Sequence, residues 1–237
     1  MAPALYDGVS LSAERHGAGG LMFYTNGCAP LLGVKRTASA PRCLKNNDEI
    51  FDYIAAHPEL RTVILASRWA LWVEGTPYNF AEDEKEIDLT DAWGKENNEA
   101  SRVVAERALD RTLAALVELN RNVVMISQVP EIGYDVPSAY FIARRTGRDL
   151  NQIIAPAYSA YLNRTENTRR ILDATAEKYG AMILDPSQSL CDSSRCVTIA
   201  DDRLLYMDAY HLSIFGSRSI SHLYDSFFES LALEAQP

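Results

Sequence analysis

Apolar positions along the chain alternate between a helical period and short continuous runs. Leu5, Val9 and Ala13 recur every four residues, and Gly17 followed by Gly19 and Gly20 stops the pattern, which predicts a helix over 2–16. Leu21-Met22-Phe23-Tyr24-Thr25 is a short apolar run flanked by glycines and predicts a buried strand. Asn26-Gly27-Cys28-Ala29-Pro30 reads as a turn, with an irregular loop running on to Cys43. Asn47 and Asp48 are placed to cap a helix over 49–56 whose inner face is Ile50, Tyr53 and Ile54, and His57-Pro58 ends it. Thr62-Val63-Ile64-Leu65-Ala66 is apolar without alternation, as expected of a strand covered on both faces.

Residues 74–95 are polar and acidic (Glu82, Asp83, Glu84, Glu86, Asp88) and read as a surface excursion. A long helix is predicted over 97–120, its buried stripe made by Ala105, Leu109, Leu113, Leu116 and Leu119. Further strands are predicted at 123–127 and 181–184, with a short helix near 139–144 and long helices over 158–179 and 214–233. Strands alternating with helices predict an α/β layer sandwich on a parallel sheet, as one domain spanning 1–237. The order has one gap. The chain opens on a helix, whereas a doubly wound fold opens on a strand that feeds it, and the loop after that strand lies at the sheet edge where active sites are built. The first strand is therefore expected to be missing.

Composition narrows the partners. The net charge of -9 argues against nucleic acid, which demands a basic face. No apolar run approaches the roughly 20 residues needed to span a bilayer, and the N-terminus lacks a basic region followed by an apolar one, so no signal peptide is expected. The cysteines point the other way. Cys28 and Cys43, and Cys191 and Cys196, fall as two local pairs in loops, and local disulfides imply an oxidising compartment. Free thiols and a zinc site are the alternatives, although neither pair has CxxC spacing. Compartment and N-terminus disagree, which suggests that the chain is part of something longer.

The chemistry concentrates at Tyr206-Met207-Asp208-Ala209-Tyr210-His211-Leu212-Ser213, ahead of the last predicted helix. A carboxylate three residues before a histidine can hold one imidazole tautomer and leave the other nitrogen as a general base. An ion pair or loop cap is the plainer reading of the same spacing. His16, His57 and His222 are expected to be structural or solvated.

The chain resembles the SGNH-type domain fused to acyltransferase-3 membrane proteins. The resemblance is carried by Asn26-Gly27-Cys28-Ala29-Pro30-Leu31-Leu32, by Val63-Ile64-Leu65-Ala66-Ser67-Arg68-Trp69, by Leu190-Cys191 with Cys196, and by the Asp208–His211 block. It implies a flavodoxin-like three-layer α/β/α sandwich, a periplasmic location, and acyl-ester chemistry (O-acetyl transfer or deacetylation) on bacterial cell-surface polysaccharide such as lipopolysaccharide. It implies no cofactor and no metal. The partners would be an acyl donor delivered through the acyltransferase-3 membrane domain and a carbohydrate acceptor. It assigns His211 as base, Asp208 as its orienting partner and Gly27 as an oxyanion donor. Arg68 falls where simpler members of the class carry an asparagine donor, so Arg68 and Trp69 could bind substrate instead, with a buried cation–π or packing pair as the alternative. The family's nucleophile is the serine of a Gly-Asp-Ser block just ahead of the first helix. No such block occurs in the chain, and Ser10 and Ser12 lie past the expected position. The expectation is a domain truncated before its nucleophile and inactive alone. The alternatives are a non-catalytic remnant or carbohydrate-binding accessory domain, and an unrelated α/β enzyme using Asp208 and His211 with a metal.

Overall fold

The computed structural model describes residues 2–36, 42–78, 89–92 and 100–234. Helix α1 (Ala2–Arg15) is followed by β1 (Val34–Arg36), α2 (Arg42–Ala56), β2 (Thr62–Ala66), α3 (Trp69–Glu74), β3 (Leu89–Asp91), α4 (Ser101–Glu118) and β4 (Asn122–Ile126). Then come α5 (Val136–Thr146), α6 (Leu150–Ile154), α7 (Tyr158–Arg164), α8 (Glu166–Tyr179), β5 (Met182–Leu184) and α9 (Ser187–Leu190). The short strands β6 (Ile199–Ala200) and β7 (Arg203–Leu204) lead to α10 (Ile214–Ser219), a 3-10 turn (Ser221–Tyr224) and α11 (Asp225–Glu234).

The central sheet has strand order β2-β4-β5, and both pairings are parallel. Its side chains feed two cores, as the strand period of two requires. Val63, Leu65, Val123 and Met125 pack with α2, α3, α4 and α8 on one face. Ile64, Ala66, Val124 and Ile126 pack on the other with α1, α5, α6 and the C-terminal helices. The fold is thus mixed α/β, with a parallel central sheet flanked by helices. The pairs β1–β3 and β6–β7 are small antiparallel additions.

The strand expected at 21–25 is not a strand. Leu21, Met22, Phe23 and Tyr24 are exposed, at 60%, 41%, 41% and 55%. Helix α1 belongs to one layer and α2 to the other, so the chain between them must pass round the sheet, and this run lies along α2 with Phe23 5.2 Å from the Tyr53 ring. Strand β2 pairs with β4 alone among the described residues, leaving its other edge open.

Other boundaries shift for local reasons. Helix α2 starts at Arg42, so Asn47 is not its cap; the buried Asn47 amide donates to the carbonyls of Ala29 and Leu31 at 2.7 and 2.8 Å and holds that loop down. The helix expected near 139–144 is longer, because Asp135 caps it by accepting from the Ser138 amide and Pro137 suits its first turn. The helix expected over 158–179 breaks at Thr165, and that over 214–233 breaks at the 3-10 turn. Most of the acidic excursion over 74–95 lies outside the described residues, but α3 and β3 occupy its two ends.

Both cysteine pairs are disulfides, Cys28–Cys43 and Cys191–Cys196. Closing loops of these lengths restricts the unfolded chain by about 3 and about 2 kcal/mol respectively. Cys28→Ser/Cys43→Ser should therefore lower unfolding stability in urea by about 3 kcal/mol, and more than Cys191→Ser/Cys196→Ser. Gly216 has no room for a side chain, because a Cβ there would collide with the Leu205 carbonyl. Gly216→Ala should shift the urea midpoint downward by more than a typical surface substitution does.

Candidate active site

Strand β7 runs into a loop that closes on itself. The Leu205 amide donates to Thr198 O, the Met207 amide to His211 O, and the Ser213 amide back to Leu205 O, each at 2.9 Å. The Ser213 hydroxyl donates to Leu204 O at 2.7 Å and accepts from the Gly216 amide at 3.0 Å, capping α10. One serine thus fixes the exit of the loop to both the strand before it and the helix after it.

Inside the loop, Asp208 spends both oxygens locally. Oδ1 accepts from the amides of Tyr210 (2.8 Å) and His211 (2.6 Å), and Oδ2 lies 2.6 Å from His211 Nδ1. Burial pushes the Asp208 carboxyl up, but the bond from His211 and the two amide N–H groups together outweigh it and hold the group below the usual carboxylate range. An ionised Asp208 accepts rather than donates, so the imidazole proton resides on Nδ1 and Nε2 carries the basic lone pair.

The loop is tied to the ends of the sheet strands. The amides of Ile132 and Gly133, beyond β4, donate to Ala209 O at 2.8 and 3.3 Å. Arg68 follows β2, and its guanidinium sits 3.6 Å above the Tyr210 ring centroid. The Tyr210 ring in turn lies 4.3 Å from the His211 ring. Asp208 and His211 therefore stand at the C-terminal edge of the parallel sheet, where α/β folds bind ligands.

Behind them is a buried ionic cluster. Arg68 Nε donates to Glu131 Oε1 at 2.8 Å, and Arg164 Nε donates to Glu131 Oε2 at 3.0 Å. Arg164 also donates to Thr76 O at 2.6 Å. Arg68 and Glu131 are only 6% and 5% exposed. Burial, with the Glu131 carboxylate, pushes the neighbouring Tyr78 hydroxyl up. Tyr210, Glu131 and Arg164 were not candidates from sequence: Arg68 and Glu131 are 63 positions apart, and no local pattern signals such a pair.

The remaining sequence candidates separate. Trp69 is buried in the core, and its indole N–H donates to Ile126 O at 2.8 Å. Gly27 (φ +71°) is exposed on the loop tied by Cys28–Cys43. The serines on the strand ends have other roles: Ser67 accepts from Trp72 Nε1, and Ser127 donates to Asp185. Ser12 is buried and donates to Asp225, and Ser10 reaches Glu14 at 3.5 Å. Among the other histidines, His57 stacks on Tyr53, His16 lies 3.4 Å from Asp225, and His222 meets the Ser189 hydroxyl at 3.0 Å.

Residues 1–226 match the family model of the SGNH domain (fused to AT3 domains). The chain belongs to this family. Among solved structures it is similar to the periplasmic domain of the Salmonella ser. Paratyphi A lipopolysaccharide acetyltransferase, at 16% identity and a TM-score of 0.59, over 96% of this chain and 78% of that one. At that identity the likeness speaks for the fold. No curated protein matches the chain. No described helix of this SGNH-family chain is long and apolar enough to cross a membrane.

Because the folded Asp208 carboxyl lies below its unfolded value, its ionisation stabilises the fold above about pH 4. That contribution is lost as pH falls through the folded value. Asp208→Asn should narrow the wild-type advantage in urea stability as pH drops from 6 to 3, since the variant has no carboxylate to protonate.

Proposed function

We propose that this SGNH chain is the acid- and base-bearing part of an acyl-ester domain that serves O-acylation of bacterial cell-surface polysaccharide. The observation that carries the reading is the Asp208–His211 bond of 2.6 Å on a loop pinned to the C-terminal edge of the sheet. In this reading His211 Nε2 removes the proton of a serine, Asp208 steadies the imidazolium, and the serine oxygen takes the acyl group as its bond to the donor breaks and the donor's leaving group receives the proton from His211. A sugar hydroxyl or water then removes it. The acyl donor comes through an acyltransferase-3 membrane domain of the same protein, the acceptor is a carbohydrate, and the domain works in the periplasm. Both disulfides are at home there.

The serine is proposed to lie on a strand preceding α1, in a flavodoxin-like three-layer sandwich whose first strand fills the open edge of β2. Two observations support this. Leu21–Thr25 and β2 are apolar runs, and among the described residues the first has no strand partner and the second has one. Helix α1 also runs alongside α10 and the 3-10 turn in the same direction, with Gly8 bonded to Ser217 and Arg15 to Asp225. The start of α1 is therefore at the end of α10 that adjoins His211, so a residue just ahead of α1 would arrive near the base. Gly27 remains the proposed oxyanion donor, closing toward that residue once the strand is in place. Arg68 and Trp69 then act as scaffold rather than as contacts to the sugar.

The parent reading frame, extended upstream of Met1 through an apolar strand with Gly-Asp-Ser, should hydrolyse p-nitrophenyl acetate. The 237-residue chain should not. In the extended protein His211→Ala should lower kcat/KM by about 10³-fold or more. If the extended protein shows no turnover, or has no Gly-Asp-Ser upstream, the non-catalytic carbohydrate-binding reading takes its place.

A further inference from the structure

Helix α5 (Val136–Thr146) has two unlike faces. Val136, Ala139, Tyr140 and Ala143 pack into the core shared with α1 and the C-terminal helices. Ser138, Phe141, Ile142 and Arg145 recur at i, i+3, i+4 and i+7 and so share the opposite face. On that face Phe141 is 73% exposed and Ile142 61%. Single apolar residues on a surface are ordinary, but two large adjacent ones in a stripe mark a contact surface. Arg145 stands one turn beyond both. Gly147, at φ +66°, then ends the helix and leads to exposed Arg148. Between Asp135 and Asp149 the chain has Arg144, Arg145 and Arg148 and no acid. The two flanking aspartates each accept a backbone amide at a helix cap, and Arg144 lies 3.8 Å from Asp202. The far end of the apolar stripe is therefore basic, in a chain whose net charge is -9.

We propose that this face of α5 docks the domain on an anionic phospholipid surface: Phe141 and Ile142 enter the bilayer interface while Arg145 and Arg148 meet the lipid phosphates. The residue types suit that boundary. Apolar side chains gain by leaving water, and arginine stems can lie against hydrocarbon while the guanidinium stays at headgroup level. The arginines act locally, because charges farther off than about 8 Å are screened at physiological salt. Size favours lipid over a protein partner. An eleven-residue helix is about 16 Å long and about 10 Å across, so one face offers well under the roughly 800 Å² that each partner gives to a stable protein interface. The family is one of domains fused to acyltransferase-3 domains, which places a membrane within reach. Docking would also serve the site. Ile132 and Gly133 hold the loop of Asp208 and His211 through Ala209 O, and they lead directly into the Asp135 cap of α5. A domain seated on α5 therefore keeps that loop near the lipid surface, where a membrane-borne acyl group or glycan would be presented.

The inference goes beyond the acyl-ester reading, and its test measures binding rather than turnover, so either can fail while the other succeeds. The 237-residue chain should sediment with vesicles of phosphatidylethanolamine and phosphatidylglycerol, and far less with vesicles of phosphatidylcholine alone. Added salt should weaken the binding. Phe141→Ser/Ile142→Ser and Arg145→Gln/Arg148→Gln should each lower the partition coefficient by about tenfold or more. All four positions are exposed, so the urea midpoints of both variants should stay near that of the wild type. Leu21→Ser/Phe23→Ser, on the other exposed apolar run, should leave binding unchanged. The four cysteines are all in disulfides, so Phe141→Cys can carry an environment-sensitive dye, whose emission should shift to the blue on the anionic vesicles. Full binding by Phe141→Ser/Ile142→Ser would overturn the proposal, as would equal binding to neutral and anionic vesicles. A wild-type chain that binds neither kind of vesicle would overturn it too, and would leave the stripe to a protein partner.

Discussion

A carboxylate cannot be buried without charge compensation, and at this site that requirement organises three separate parts of the chain. Glu131 lies under the loop that carries Asp208 and His211. Its two oxygens draw in Arg68 from the end of β2 and Arg164 from α7. Removing one partner of such a buried pair typically costs about 3–5 kcal/mol, whereas an exposed ion pair is worth about 0–1. The contrast separates this cluster from the surface pairs elsewhere, such as Arg144 with Asp202. The residues after Glu131 then use their amides on Ala209, so the element that holds the buried charge also holds the loop of Asp208 and His211.

Hydrogen bonding within the loop supplies the second level of order. Asp208 accepts from three groups of its own loop and orients the imidazole, while Ser213 caps α10 and anchors the loop's end. These short-range bonds need no distant partner. They bring Asp208 and His211 into contact from within the loop itself. The loop of Gly27 is held by the Cys28–Cys43 disulfide and by the Asn47 amide under Ala29 and Leu31.

The α/β class, the parallel strands at 62–66 and near 123–127 and 181–184, and both disulfides were legible in sequence because each has a short-range signature. The run at 21–25 has the same apolar character as β2, yet it is exposed. Local composition states that a segment can pair, not that a partner exists. Asn47 shows the same limit for polar residues: a good cap by type became a buried amide because α2 begins five residues earlier, at Arg42. Trp69 was a candidate for sugar binding, and burial placed its indole in the core.

The sequence by itself determined the alternation of strands and helices, the cysteine pairs and the contact of Asp208 with His211. All of these depend on residues close together in the chain. Only the tertiary structure decided that Arg68, Glu131, Arg164 and Tyr210 converge behind His211, and that among the described residues β2 pairs on one edge alone. Those facts depend on which strand ends meet and which charges must share a buried space, and distances across the fold are not encoded in any local spacing.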